Sequence, residues 1–119
     1  MKRTLMTLAA ALLLVTGITN QTADARTHYK TIKVSATAYC EMGRTATGYN
    51  LRSHPNAKEI AVDPRYIKLG SKVYIPGYGT AIARDTGGRI KGRIIDVHFK
   101  TRHQAIMWGR KHLTIKVYR

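Results

Sequence analysis

The stretch AIARDTGGRIKGRIIDVHF (residues 81–99) sets two aspartates, Asp85 and Asp96, on either side of a segment holding Gly87, Gly88 and Gly92. Both flanks read as short strands. TAIARD (80–85) runs up to the Gly87-Gly88 break, and RIIDVHF (93–99) begins after Gly92. Side chains alternate between the two faces of a strand. The first flank therefore puts Ala81, Ala83 and Asp85 on one face, with Ile82 and Arg84 on the other. The second sets Ile94, Asp96 and His98 against Ile95, Val97 and Phe99, which gives it an apolar core side and a polar side carrying Asp96. The small alanines leading to Asp85 read as the floor of a groove.

Carboxylates are scarce here. The chain has 21 Lys and Arg against 6 Asp and Glu, a formal net charge of +15. In so cationic a chain an acidic side chain is either paired with Arg or Lys or placed for chemistry. The charge itself speaks of partners, not of fold. It suits anionic polymers, but no aromatic-basic recognition motif accompanies it, so a specific nucleic-acid partner is not expected.

The rest of the chain continues the pattern of short strands. KTIKVSATAY (30–39), EIAV (59–62), KVYI (72–75) and LTIKVY (113–118) are separated by turn signals such as Asp63-Pro64 and Pro76-Gly77. Residues 40–58 have no apolar period and form a long loop, a length often used for binding. Thr101 is placed to cap a short helix over 102–110, with Trp108 assigned to the core. About six strands and one helix suggest a small β-barrel or closely packed sheet.

At the N-terminus, Lys2 and Arg3 precede the apolar run Leu5–Ile18 and a small-x-small site at Ala23-Asp24-Ala25. This reads as a secretory signal peptide over 1–25, leaving 26–119 as a single domain. The apolar run is shorter than the ~20 residues that a membrane span needs, so no span is expected after cleavage. Cys40 is the only cysteine, which excludes an internal disulfide.

Several chemistries fit the acidic residues unequally. Asp63 before Pro64, and Asp85 before Thr86-Gly87-Gly88, suit turn formation as well as catalysis. Asp96 in mid-strand is neither a turn former nor a good strand residue. Together the three could form the carboxylate cluster that glycoside cleavage needs, where a neighbouring charge raises the pKa of the acid. The histidines show no HExxH or paired Cys/His spacing, and no EF-hand pattern is present, so neither a metal nor a cofactor is expected.

The succession TAYC (37–40), TATG (45–48), IAVDP (60–64), LGSKVYIPGYG (69–79), ARDTGGRIKG (83–92), IDVHF (95–99) and AIMWGRK (105–111) closely resembles the bacterial three-aspartate (3D) domain. The resemblance spans roughly residues 32–118. It implies a mainly β fold, a six-stranded double-psi β-barrel with one or two short helices. The barrel is similar to the catalytic barrel of the A-type lytic murein transglycosylases. The resemblance further implies an exported, muralytic enzyme of cell-wall turnover or remodelling that acts on peptidoglycan glycan strands and leaves 1,6-anhydro-muramoyl ends. Other anionic wall polymers are possible partners, and the location is secreted, at the cell wall. The three name-giving aspartates map onto Asp63, Asp85 and Asp96. By the same resemblance Asp96 is the acid/base, Asp85 its neighbour, and Asp63 a support for the site or a turn. Tyr39, Thr45, Thr47 and Gly48 match the first motif as groove residues, and Thr86, Gly87 and Gly88 would approach the sugar. The alternative is a non-catalytic, expansin-like module that binds wall polysaccharide.

Overall fold

Six short runs rich in β-branched residues become strands that no flat sheet could bury on both sides, and they close on themselves. The computed structural model describes residues 28–119; the expected signal segment lies outside the described residues. The strands are β1 (Tyr29–Tyr39), β2 (Glu59–Ala61), β3 (Lys72–Ile75), β4 (Gly79–Asp85), β5 (Ile94–His98) and β6 (Lys111–Tyr118). One helix among the described residues, α1 (Arg102–Trp108), precedes β6. The order around the closed barrel is β1-β5-β2-β4-β3-β6. The pairs β1–β5 and β2–β4 are parallel and the others antiparallel. This is the double-psi β-barrel with its short helix.

Alternation fills the barrel. Val34 and Ala36 point inward from β1, Val73 and Ile75 from β3, Ile95 and Val97 from β5, and Ile115 and Val117 from β6. Ala81 and Ala83 join them, at 1% and 0% exposure. These two alanines are therefore core, which corrects their reading as a groove floor.

The correction has a local cause. β4 pairs with β2 as Ile60↔Ala83 and then Ala61↔Asp85, so Arg84 is an extra residue in the ladder. Such a bulge re-aims the side chain that follows it. Strict alternation would turn Asp85 inward with Ala83. The bulge instead brings it onto the outer face beside Ala61, whose partner on the other side is Asp96.

β4 and β5 are not neighbours; both flank β2. The glycine-rich segment after Asp85 thus crosses over the end of β2. Its left-handed residue is Gly92, at φ 66°, rather than Gly87 or Gly88. Asp63, just past β2, holds this crossover. Its Oδ2 accepts from Gly92 N at 2.8 Å and from Arg65 Nη2 at 2.7 Å, and Oδ1 accepts from Arg65 N at 3.0 Å. The Asp63 carbonyl accepts from Tyr66 N and Ile67 N, closing the turn below.

The Arg65 side chain, with Gly92 N behind it, holds the Asp63 carboxyl well below the usual carboxylate range. An unfolded aspartate titrates at about 3.9, so between these values the unfolded chain binds more protons than the folded one. This contribution is present above pH ~4 and is lost as pH falls towards the folded value. Urea midpoints followed from pH 6 down to pH 3 should fall more steeply for the wild type than for Asp63→Asn, which is weaker at pH 6 and flatter below.

The helix α1 packs against β1. Thr101 Oγ1 accepts from Gln104 N at 3.1 Å, and Gln104 Oε1 accepts from Thr101 N at 3.2 Å, a complete capping box. The cap sets the helix so that Trp108 turns inward, at 7% exposure. Its Nε1 donates to Ala36 O at 3.1 Å.

Candidate active site

Three neighbouring strands carry the carboxylate centre on the outer wall. β1 and β5 run in register as Thr37↔Asp96 and Tyr39↔His98. β2 lies on the far side of β5, and β4 beyond it. Reading across the wall, the row is Thr37, Asp96, Ala61, Asp85. Asp96 and Asp85 stand two strand spacings apart, roughly 9.5 Å at the backbone, with only the Ala61 methyl between them. Ala61 is the floor that the sequence reading had assigned to Ala81 and Ala83.

Asp96 is half-buried and accepts from Thr37 Oγ1 at 2.8 Å. Burial raises its pKa above the ordinary carboxylate range; the Thr37 hydrogen bond opposes this, and the negative charges of Asp85 and Glu41 add to it. Asp85 is held differently. Its Oδ1 accepts from two backbone amides, Thr86 N at 2.8 Å and Ala46 N at 2.9 Å. The salt bridge found among the described residues is Arg65–Asp63. Neither Asp85 nor Asp96 takes part in it, although the chain has cations to spare.

The TATG turn is the device that grips Asp85. Thr47 Oγ1 donates to Arg84 O at 2.8 Å, and Thr45 Oγ1 accepts from Tyr49 N at 3.1 Å. Gly48 takes φ 90°, which lets the turn close. The Arg84 guanidinium then lies 3.9 Å from the centre of the Tyr49 ring. Thr45, Thr47 and Gly48 therefore shape the loop that docks on the bulge, and the amide of Ala46 between them reaches the carboxylate. Thr86 contributes its amide. Gly87 makes room for Ile90, since a Cβ there would sit 2.9 Å from Ile90 Cγ1. Asp63 stands apart, with both oxygens committed to Arg65 and Gly92.

Tyr39 leads to a residue that the sequence reading missed. Its hydroxyl donates to Glu59 Oε1 at 2.8 Å, and Glu59 is fully buried. The other oxygen, Glu59 Oε2, is buried without a partner. Burial raises the Glu59 pKa, with Asp85 adding to it while Tyr39, His98 and Arg84 oppose it. Burial likewise pushes the Tyr39 phenol far up, so it stays a neutral donor. His98 is buried alongside, its Nδ1 3.1 Å from Ala57 O and its Nε2 3.3 Å from Glu41 O. The 40–58 loop thus holds His98 through the Ala57 and Glu41 carbonyls and Asp85 through the Ala46 amide, and Asp96 and Asp85 both stay partly exposed. The available signal was the alternation Glu59-Ile60-Ala61, which puts Glu59 and Ala61 on one face.

A carboxyl whose folded pKa is raised weakens the fold as pH rises from its unfolded value of about 4.3. Glu59→Gln should therefore be at least as stable as the wild type at pH 8, because the amide still accepts from Tyr39. Glu59→Ala should lose about 2–3 kcal/mol, through the cavity and the orphaned Tyr39 hydroxyl. Urea denaturation at pH 5 and pH 8 measures both. A Gln variant weaker by 2 kcal/mol or more at both values would contradict this placement.

Among the described residues no three His, Cys, Asp or Glu side chains gather into a metal-holding group. The centre can give and take a proton at Asp96, with a second carboxyl, Asp85, placed across Ala61 from it. A hollow of about 350 Å³ continues this surface between β1 and α1, lined by Thr37, Tyr39, Arg102 and Ile106 among others.

Known proteins resemble this chain in sequence and in fold. Two relatives come from Bacillus subtilis (strain 168). YabE, named provisionally for cell wall shaping, is 54% identical over 93 residues, covering 74% of this chain and 23% of YabE. Cell wall-binding protein YocH is 53% identical over 93 residues, covering 74% of this chain and 32% of YocH. The chain thus spans about a quarter to a third of the length of these relatives. Among solved structures, the Streptomyces papain inhibitor superposes with a TM-score of 0.58 at 16% identity, over 76% of this chain and 96% of the inhibitor. MltA from E. coli superposes with a TM-score of 0.51 at 20% identity, over 66% of this chain and 28% of MltA. Both likenesses concern the barrel. The family model for the 3D domain matches residues 58–119, which contain all three aspartates and five of the six strands, and the chain belongs to the 3D domain family.

Proposed function

We propose that the Asp96–Asp85 groove cleaves peptidoglycan glycan strands as a lytic transglycosylase, in a protein exported to the cell wall. The observation that carries this reading is Asp96 itself, an unpaired, half-buried carboxyl with a raised pKa, set one small side chain away from a second carboxylate. A carboxyl whose pKa is raised keeps its acid form to higher pH than an ordinary aspartate, and in that form it can protonate a glycosidic oxygen as the C1–O bond breaks. The resulting Asp96 carboxylate then takes the proton of the muramoyl C6 hydroxyl as its oxygen bonds to C1. Asp96 ends as it began, no water is consumed, and the product carries a 1,6-anhydro ring. Asp85 sets a second carboxyl near the oxocarbenium-like centre, and its charge adds to the burial that raises the Asp96 pKa. Asp63, Thr45, Thr47 and Gly48 serve by positioning, through the crossover and the TATG turn.

The likeness of the barrel to MltA and the wall-related names of YabE and YocH support this reading, and the Leu5–Ile18 segment supports export. The name of YocH also favours a second reading, a module that binds wall polysaccharide without cutting it. Incubation with purified peptidoglycan separates the two. Soluble anhydro-muramoyl fragments support cleavage, whereas protein that pellets with the wall and releases nothing supports binding alone.

A further inference from the structure

A second concave surface lies on the same outer wall, beside the carboxylates and lined by none of them. Lys33 and Ser35 face outward from β1, registered against Thr114 and His112 of β6. Arg93 enters just ahead of β5, where its carbonyl accepts from Ser35 N at 2.9 Å. Together with the backbone around Val34 and Leu113 these residues line an open hollow of about 460 Å³. Arg110 reaches its edge, Nη1 donating to Ser35 Oγ at 3.1 Å. No carboxylate lines the hollow, and none of its cations is in the salt bridge found among the described residues.

The chemistry of the lining is one-sided. An ammonium, two guanidinium groups, an imidazole and two hydroxyls border the hollow, from β1, β6, the residue before β5 and the turn between α1 and β6. Such a set suits an oxyanion with several acceptor oxygens, since guanidinium groups meet phosphate oxygens in pairs. The hollow is open rather than enclosed, which suits a polymer passing through more than a small molecule sealed inside. It also adjoins the groove, because Ser35 and Thr37 share the outer face of β1 one side-chain step, about 6.6 Å, apart. We propose that the hollow formed by Lys33, Arg93, Arg110 and His112 is a second binding site, taking the phosphodiester groups of an anionic polymer carried by the cell wall. The proposal rests on the wall-directed reading of the protein but not on catalysis at Asp96.

Retention on purified Bacillus subtilis walls tests it, using intact walls and walls stripped of phosphodiester polymer with hydrofluoric acid. The variants are Lys33→Gln/Arg93→Gln/Arg110→Gln and a control of equal charge, Lys68→Gln/Lys100→Gln/Arg119→Gln. All six side chains are exposed, so both variants should melt with the wild type. On intact walls the first variant should bind about tenfold more weakly and the control less than about threefold. On stripped walls all three proteins should bind within about twofold of one another. Equal loss in both variants would reduce the effect to net charge and overturn the site. A loss that persists on stripped walls would overturn the phosphodiester assignment. Tighter binding of a DNA duplex than of intact walls, lost in the first variant alone, would make it a nucleic-acid site instead. Fragment release from stripped walls, measured in parallel, reports on the carboxylate groove separately.

Discussion

Replacing Asp96 by asparagine is expected to slow the release of soluble fragments from peptidoglycan by about 10²–10⁴-fold, the usual contribution of a positioned general acid–base. The fold should survive, because an asparagine oxygen still accepts from Thr37 and no ion pair is broken. The melting temperature therefore serves as the control. Activity should also carry a pH signature. Burial, and after it the charge of Asp85, raises the Asp96 pKa, so the acid form persists above the usual carboxylate range. Activity should fall as pH rises through that raised value. Asp85→Asn removes one raising charge, so the alkaline fall should move to lower pH. An Asp96→Asn variant with wild-type rates would contradict the assignment outright.

Trp108→Ala should have the largest effect on stability. Large aromatic-to-alanine changes in a core cost about 3–5 kcal/mol, against a total of about 5–15 kcal/mol for a domain. Trp108 stands at the upper end of that range because it makes three kinds of contact. It packs against Phe99 and Tyr78, with ring centroids at 5.7 Å and 6.2 Å. It belongs to the buried core cluster, and its Nε1 satisfies the Ala36 carbonyl. In a domain of this size each kcal/mol shifts the melting temperature by about 4–8 °C, so a fall on the order of 15–40 °C follows. Trp108→Phe keeps much of the packing and loses the hydrogen bond, so it should recover more than half of that fall. Thermal melts by circular dichroism decide it; a fall below about 5 °C for the alanine variant would show that α1 is an ornament on the barrel.

Most of the strands were legible because each carries β-branched residues between glycine or proline breaks. The helix was legible from Thr101 and the pattern leading to Trp108. What escaped was the relation between strands. Strict alternation cannot show that Arg84 is a bulge, since that depends on β2, a strand some twenty residues earlier in the chain. For the same reason alternation assigned the core alanines Ala81 and Ala83 to a groove and passed over Ala61. Glu59 was missed because a glutamate at the start of a strand reads as a solvated edge, and only the closed fold shows it buried with its Oε1 held by the Tyr39 hydroxyl. The family motifs pointed to the three aspartates as a group. The geometry separates them, with Asp63 tying the crossover and the other two flanking one alanine.

The most direct test of the central claim is to run the reaction in oxygen-18 water and weigh the soluble fragments. The account predicts fragments lighter by one water than the hydrolysis products, with no oxygen-18 at the new muramoyl end, and none from Asp96→Asn. Reducing ends carrying oxygen-18 would mean that water, not the C6 hydroxyl, attacks C1. Walls that retain the protein and yield no fragment would leave the groove a binding surface and contradict catalysis altogether.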